Sequence, residues 1–136
     1  MNDKIKQAIE VHLTALDQTF QTAWENVDFK PTNAPFQAPT FLFAEPDDQG
    51  FRDSPYIQRG IFTNTLAYPT NEGGESAQNK ADEVANHFKR GTSLLTTAGF
   101  SVIFDRTPEI TGGAIEGDRF IIRVRCRFFA HISPGE

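Results

Sequence analysis

The chain has 136 residues, of which 38% are hydrophobic and 13 are phenylalanine, enough for a packed core without a metal or a disulfide. Its net charge of -5 argues against a general nucleic-acid binder, so any phosphate contact would need a local basic patch. No apolar run approaches the length of a membrane span, and the single cysteine, Cys126, cannot form an internal disulfide. We therefore expect one domain, residues 1–136, that folds in a reducing cytoplasm.

The N-terminal segment predicts an amphipathic helix that begins at a cap on Asn2 or Asp3 and ends near Asp17 or Gln18. Its apolar residues recur at spacings of four, four and three, and they are Ile5, Ile9, Leu13 and Leu16. Phe20, Thr22 and Trp24 stand at every second position, and this alternation with their neighbours predicts a first strand.

Three prolines exclude both a helix and a central strand from residues 30–41, which we expect to form an extended connector. A short strand is predicted over residues 40–44. Residues 45–55 are polar and rich in turn formers, and their carboxylates are Glu45, Asp47, Asp48 and Asp53. A loop of this length in a compact domain tends to be functional or mobile.

Residues 56–69 predict a long strand, in which Gly60 could form a bulge. A second helix is predicted from Glu75 or Ser76, and Gly91 stands where a C-cap glycine belongs. Residues 100–106 predict a strand, residues 107–118 a long Gly-rich loop, and residues 119–132 the last strand. This order predicts an α+β fold, a mainly antiparallel sheet of about four to five strands with two helices packed on one face.

The last predicted strand has two unlike faces when it is read with a period of two. One face is apolar from Phe120 to Ile132 and includes Cys126, which we expect to be a small buried hydrophobe. The residues of the other face are Ile121, Arg123, Arg125, Arg127, Phe129 and His131. We call its three arginines the arginine ladder.

Three interpretations of the arginine ladder are open at this point. It is a solvent face whose scattered ion pairs are worth roughly 0.2–1 kcal/mol each, a phosphate-binding face, or a contact with acidic loops of another subunit. Ile121 and Phe129 bracket the arginines, and apolar residues there fit a protein contact or a covering helix better than nucleic acid.

The sequence offers no catalytic or metal-binding motif. His12, His87 and His131 lie on three different predicted elements, and none belongs to an HxxxH or HxH pair. The acidic loop lacks the EF-hand register, and a buried thiol at Cys126 would be inert. We therefore expect no enzymatic activity, no cofactor and no metal.

Short stretches spread over nearly the whole chain carry a family resemblance: Glu25–Asn26 with Phe29 and Pro31, Arg59–Gly60–Ile61–Phe62, and Ala81–Asp82 with Phe88 and Gly91. In order and spacing they resemble the small phage and prophage tail-completion proteins, which are similar in layout to the lambda tail terminator. The resemblance implies a non-catalytic virion structural protein that forms a ring, typically a hexamer, on the end of the tail tube. Such a ring stops polymerisation of the tube and helps to join the tail to the head.

The resemblance also implies the partners and the location. The partners would be other copies of the chain, the tail tube protein and head–tail connector proteins, with no membrane contact and with DNA only passing through. The protein would assemble in the cytoplasm of the host bacterium and end in the virion tail.

A ring subunit needs two different complementary patches. We expect one patch to consist of the arginine ladder with Phe129, and the other of Glu45, Asp47, Asp48 and Asp53. The alternatives are a head–tail connector (neck) protein of similar size and a nucleic-acid-binding module that uses Arg123, Arg125 and Arg127.

Overall fold

The computed structural model describes residues 1–25, 27–31, 34–51, 54–70 and 74–133. Its two helices are α1 (Asn2–Leu16) and α2 (Gly74–His87). The strands are β1 (Gln21–Thr22), β2 (Phe36–Phe43), β3 (Asp47–Asp48), β4 (Tyr56–Pro69), β5 (Ser93–Leu95), β6 (Ser101–Ile103), β7 (Glu109–Glu116) and β8 (Arg119–Ile132).

One sheet contains all of these strands, and β4 and β8 form its centre. Both are 14 residues long and pair antiparallel along their whole length, from Tyr56 opposite Ile132 to Pro69 opposite Arg119. On the side away from β8, β4 pairs with β2 and β3. On the side away from β4, β8 pairs with β7 and β6. The predicted α+β class with a mainly antiparallel sheet is confirmed, but the described residues form eight strands rather than four to five.

The hydrophobic core lies between the helices and the even-numbered side chains of β4 and β8. From α1 it takes Ile5, Ile9 and Leu13, which are at most 1% exposed. The predicted extent of this helix is confirmed, but the predicted cap is wrong. Met1 is the N-cap and makes no side-chain cap bond, because its thioether is a poor acceptor; its carbonyl oxygen accepts the N–H groups of Lys4 and Ile5.

The proline-rich segment is more regular than predicted, since β2 begins at Phe36 and continues through Pro39. The parallel strand β1 pairs only with Phe36 and Gln37. At Pro39, β2 therefore has a single neighbour, β4, and in the described chain it is an edge strand there. A proline, which lacks an N–H group, is tolerated at such an edge.

The predicted loop over residues 107–118 is wrong, because β7 occupies most of it and pairs with β8. Gly112 and Gly113, both with positive φ, form an irregularity inside the strand pair instead of ending it. The hairpin turns at Gly117, whose φ of +67° favours glycine. The sequence pattern did not predict β7 because these residues are glycine-rich, and the strand depends on hydrogen bonds to β8.

The predictions of a bulge at Gly60 and of a helix C-cap at Gly91 are also wrong. The registers of β4 with β2 and β8 run through Gly60 without a shift, so there is no bulge. A Cβ at Gly60 would lie 2.5 Å from Cζ of Phe128, so this glycine serves close packing. Gly91 has a positive φ but lies beyond the end of α2 at His87, where its N–H donates to the Phe104 carbonyl oxygen.

Candidate functional site

The odd-numbered side chains of β4 and β8 point away from the core, and no helix within the described ranges covers them. We call this surface the outer face. The arginine ladder occupies its centre, where the three residues stand opposite Thr65, Thr63 and Ile61 of β4. The core half of the predicted two-faced strand is buried as expected. The other half is partly or fully exposed from Arg123 to His131, whereas Ile121 is only 8% exposed.

One arginine of the ladder has its own carboxylate partner. Arg123 donates from both terminal nitrogens to Glu116 of β7, at 3.0 and 3.2 Å. These hydrogen bonds lower the pKa of the Glu116 carboxyl group below its usual range. Because the pair is exposed, it orients Arg123 more than it stabilises the fold.

The other two arginines have no ion pair among the described residues. Arg125 stands opposite Glu109 in the register of β7 with β8, without a contact of ion-pair length. Arg127 is exposed and lies where neither β7 nor β6 pairs with β8. These two guanidinium groups are the cations of the ladder that a partner can use.

A cleft of about 620 Å³ opens on the outer face beside Arg127. Its apolar wall consists of Leu42, Ile61 and Phe129, and Leu42 is 69% exposed. Its charged residues are Arg59, Arg106, Arg127 and Asp105. A surface that combines an exposed aliphatic wall with several guanidinium groups suits an acidic and apolar protein segment.

The predicted acidic patch lies beside this cleft and not on a distant surface. Asp47 belongs to β3, which pairs with the start of β4, and its carboxylate forms an ion pair with Arg59 at 3.2 Å. Glu45 and Asp48 are exposed and have no ion pair in the part of the chain that is described. Asp53 lies outside the described residues. The structure therefore joins Asp47 to the cleft and leaves Glu45 and Asp48 free for a partner.

Sequence patterns missed several members of the cleft. The alternation along β4 places Arg59 and Ile61 on the outer face, so that signal was present in the sequence. Arg106 follows β6, and only the pairing of β6 with β8 brings it next to Arg127. No local pattern predicts that approach.

Two histidines from distant parts of the chain also meet. The rings of His12 and His87 stack with centroids 3.7 Å apart, although 75 residues separate them in sequence. Each Nε2 bonds to the backbone carbonyl oxygen of the other residue, so neither ring presents that nitrogen to a metal. In the described chain, no group of three or more His, Cys, Asp and Glu side chains could hold a metal ion.

The predicted burial of Cys126 is confirmed, since its side chain is 0% exposed in the core. Burial raises the pKa of the thiol to about 12, which keeps it protonated and unreactive at neutral pH. Neither α1 nor α2 combines the length and the apolar character that crossing a bilayer requires.

Comparisons with known proteins concern the family and the fold of the chain. The family model described as phage tail terminator protein matches residues 4–128, which confirms the resemblance stated from the sequence. A comparison with curated proteins finds no match. A solved structure whose protein carries only a sequence identifier as its name is similar over 98% of both chains, with a TM-score of 0.78 and 19% identity. At that identity the similarity concerns the fold alone.

Proposed function

Because this chain belongs to the phage tail terminator protein family, we propose that it forms a ring on the end of the tail tube, stops growth of the tube and helps to join the tail to the head. Family membership makes it a structural protein of the phage tail that contacts other tail components. The match over residues 4–128 is the observation that carries the proposal. The ring, its typical six copies and the arrest of polymerisation go beyond that match.

The outer face supports the proposal through its chemistry. Arg125 and Arg127 project from the central strand β8 and have no carboxylate within ion-pair distance in the described chain. Leu42 and Phe129 beside them add apolar area that gains stability when a partner covers it. In the proposed assembly this face meets another tail subunit, with Glu45 and Asp48 among the carboxylates available for the neighbouring contact.

The first test reverses the two unpaired charges in the double variant Arg125→Glu with Arg127→Glu. The matched control is Lys89→Glu with Arg90→Glu, which changes the net charge equally at exposed positions after α2. Each protein is added to polymerising tail tube protein, and electron microscopy gives the distribution of tube lengths and the occupancy of the tips.

We expect the wild type and the control to cap the tubes and shorten the distribution. The ladder variant should lose tip binding by at least about tenfold while its circular dichroism and melting curve stay unchanged, since both residues lie on the outer face. Capping by the ladder variant at wild-type level would remove the outer face from the proposed contact. Failure of the wild type to bind tubes at any concentration would remove the terminator function itself.

A neck protein and a nucleic-acid-binding module are the competing functions, and the free guanidinium groups of Arg125 and Arg127 favour testing both. A neck protein would bind purified head–tail connector and leave tube length unchanged. A nucleic-acid module would be retained on a DNA column at low salt and released steeply as salt rises. The net charge of -5 favours flow-through of the protein at every salt concentration.

A further inference from the structure

The helical side of the molecule carries a second apolar surface. Val11 lies about 200° around α1 from the buried residue Ile9, so it points directly away from the core. Val11 is 64% exposed, and Leu95 and Val27 on its two sides are 74% and 60% exposed. We call these three residues with Ala15 the α1 ridge.

A groove runs along each side of the α1 ridge. One groove, of about 350 Å³, lies between α1 and the segment that contains β5, an edge strand of the sheet. The other, of about 700 Å³, lies between α1 and the segment that contains Trp24 and Val27. A protruding aliphatic side chain between two grooves is a shape that protein contacts use, because it buries more area than a flat patch.

The α1 ridge and the outer-face cleft are complementary. The cleft offers Leu42, Ile61 and Phe129 to an aliphatic side chain, and it has the unpaired cation Arg127 at its rim. Next to Val11, Glu10 has no ion pair among the described residues, whereas nearby Glu25 is neutralised by Lys6 at 2.8 Å. The ridge therefore brings one free carboxylate to a cleft that has a free guanidinium group.

The placement of the two surfaces suits a ring. The ridge faces away from the core on the helical side, and the cleft opens on the uncovered face of the sheet. Two different patches on opposite layers of a subunit give a heterologous contact, which closes into a ring when the rotation between neighbours allows it. A stable contact of this kind buries about 800 Å² on each partner, so Leu95 and Val27 must take part together with Val11.

We infer that the α1 ridge of one copy docks into the outer-face cleft of the next copy, with Val11 against Leu42 and Glu10 towards Arg127. The partner is a second copy of this chain, and the inference rests on the proposed ring. It assigns the second patch to α1 instead of to the acidic loop at residues 45–53.

The test uses one variant for each surface. Val11→Lys places a charge on the ridge and Leu42→Lys places one in the cleft, both at exposed positions that leave the core intact. Ile115→Lys is the control, because Ile115 is 67% exposed on β7 and belongs to neither surface. Light scattering on a sizing column gives the mass of each protein, alone and in equimolar mixtures, at concentrations up to the solubility limit.

We expect the wild type and Ile115→Lys to form the same closed oligomer, and each surface variant alone to stay monomeric. Mixed together, the two surface variants retain one intact ridge and one intact cleft. They should form a heterodimer of twice the 15.2 kDa chain mass and nothing larger.

Three results would overturn the inference, and they separate it from the proposed function. A normal oligomer from Val11→Lys or from Leu42→Lys removes the ridge–cleft contact but leaves the ring. Monomeric surface variants whose mixture contains no heterodimer show that the two surfaces do not meet each other. A wild-type chain that stays monomeric, even after chemical cross-linking at tube tips, removes both the contact and the ring.

Discussion

His12 in α1 and His87 at the end of α2 hold the two helices together by a reciprocal pair of hydrogen bonds. Nε2 of His12 lies 2.9 Å from the His87 carbonyl oxygen, and Nε2 of His87 lies 2.6 Å from that of His12. The ring of Phe88 packs edge-on against both imidazoles. The carbonyl of His87 is among the last of α2, where intrahelical donors run out, so His12 also caps that helix.

This arrangement predicts a loss of stability in mild acid. Burial lowers the pKa of His12 from its ordinary value of 6.5, so the folded state binds the proton less readily than the unfolded state. The stabilisation is therefore fully present above pH 6.5 and is lost as the pH falls through the lowered pKa. We expect the urea midpoint to fall between pH 8 and pH 5.5.

The variant His12→Gln identifies the group responsible. It removes the titrating ring and should flatten the pH dependence, at a cost of about 1 kcal/mol at pH 8 from the lost hydrogen bond and stacking. His131→Gln is the control, because His131 is exposed on the outer face and should leave the profile unchanged. An unaltered acid profile in His12→Gln would assign the pH dependence to other groups.

The sequence predicted best those elements whose own residues determine their structure. The alternation along β4 and β8 and the stripe of α1 come from hydrophobic periodicity, and all three were located correctly. The strand β5 was missed because it contains only three residues, and β7 and the early start of β2 were missed because their composition is glycine-rich or proline-rich. The strands β2 and β7 form because their long neighbours, β4 and β8, offer unpaired backbone groups, and pairing of that kind leaves no local pattern.

The candidate site likewise combines residues that a local pattern predicts with residues that only the tertiary structure brings together. The arginine ladder could be predicted because its three residues lie on one strand. Their position on the outer face agrees with the period of two along that strand. The cleft joins residues from four segments, of which Arg106 and Leu42 have no partner close in sequence. The contact between His12 and His87 spans 75 residues, and only packing of α1 against α2 produces it.

A second prediction concerns the ion pair between Lys80 and Asp17. Lys80 is a lysine whose side chain is only 10% exposed, with Nζ 2.9 Å from Asp17 and 4.6 Å from the ring centre of Phe20. Hydrogen bonds from Thr19 and then from Lys80 lower the pKa of Asp17 to about 2. The carboxylate therefore contributes stability above its usual pKa of 3.8 that is lost as the pH falls towards 2.

Replacing Asp17 by Asn should cost about 1–2 kcal/mol at pH 7, because Lys80 stays largely buried without its closest carboxylate. The loss should shrink below pH 3, where the wild type also becomes protonated. Asp28→Asn, at an exposed position, is the control. Urea titrations of the three proteins measure the effect, and equal midpoints for Asp17→Asn and the wild type at pH 7 would contradict the prediction.

A third prediction concerns the thiol of Cys126. Its side chain is fully buried and its pKa is raised to about 12, so the thiolate that reacts with disulfide reagents is scarce. We expect the native protein to react with such a reagent at pH 8 at least about a hundredfold more slowly than the same chain in urea. Spectrophotometric release of the reagent's thiol follows the reaction. Rapid stoichiometric labelling of the native chain would show that β8 opens at this position.

The last prediction concerns Gly60, whose backbone lies under the ring of Phe128. A Cβ added there would lie 2.5 Å from Cζ of Phe128 and 2.8 Å from the carbonyl oxygen of Leu42. The carbonyl belongs to a paired strand and cannot move alone, so Gly60→Ala should destabilise the fold by about 1–3 kcal/mol. Gly74→Ala is the matched control, since among the described residues its Cβ would meet only the Phe120 ring, at an ordinary contact distance of 3.4 Å. Thermal and urea unfolding should show a clear loss for Gly60→Ala and none for Gly74→Ala. Equal stability of the two variants would mean that β2 and Phe128 are not packed as closely against β4 as these distances require.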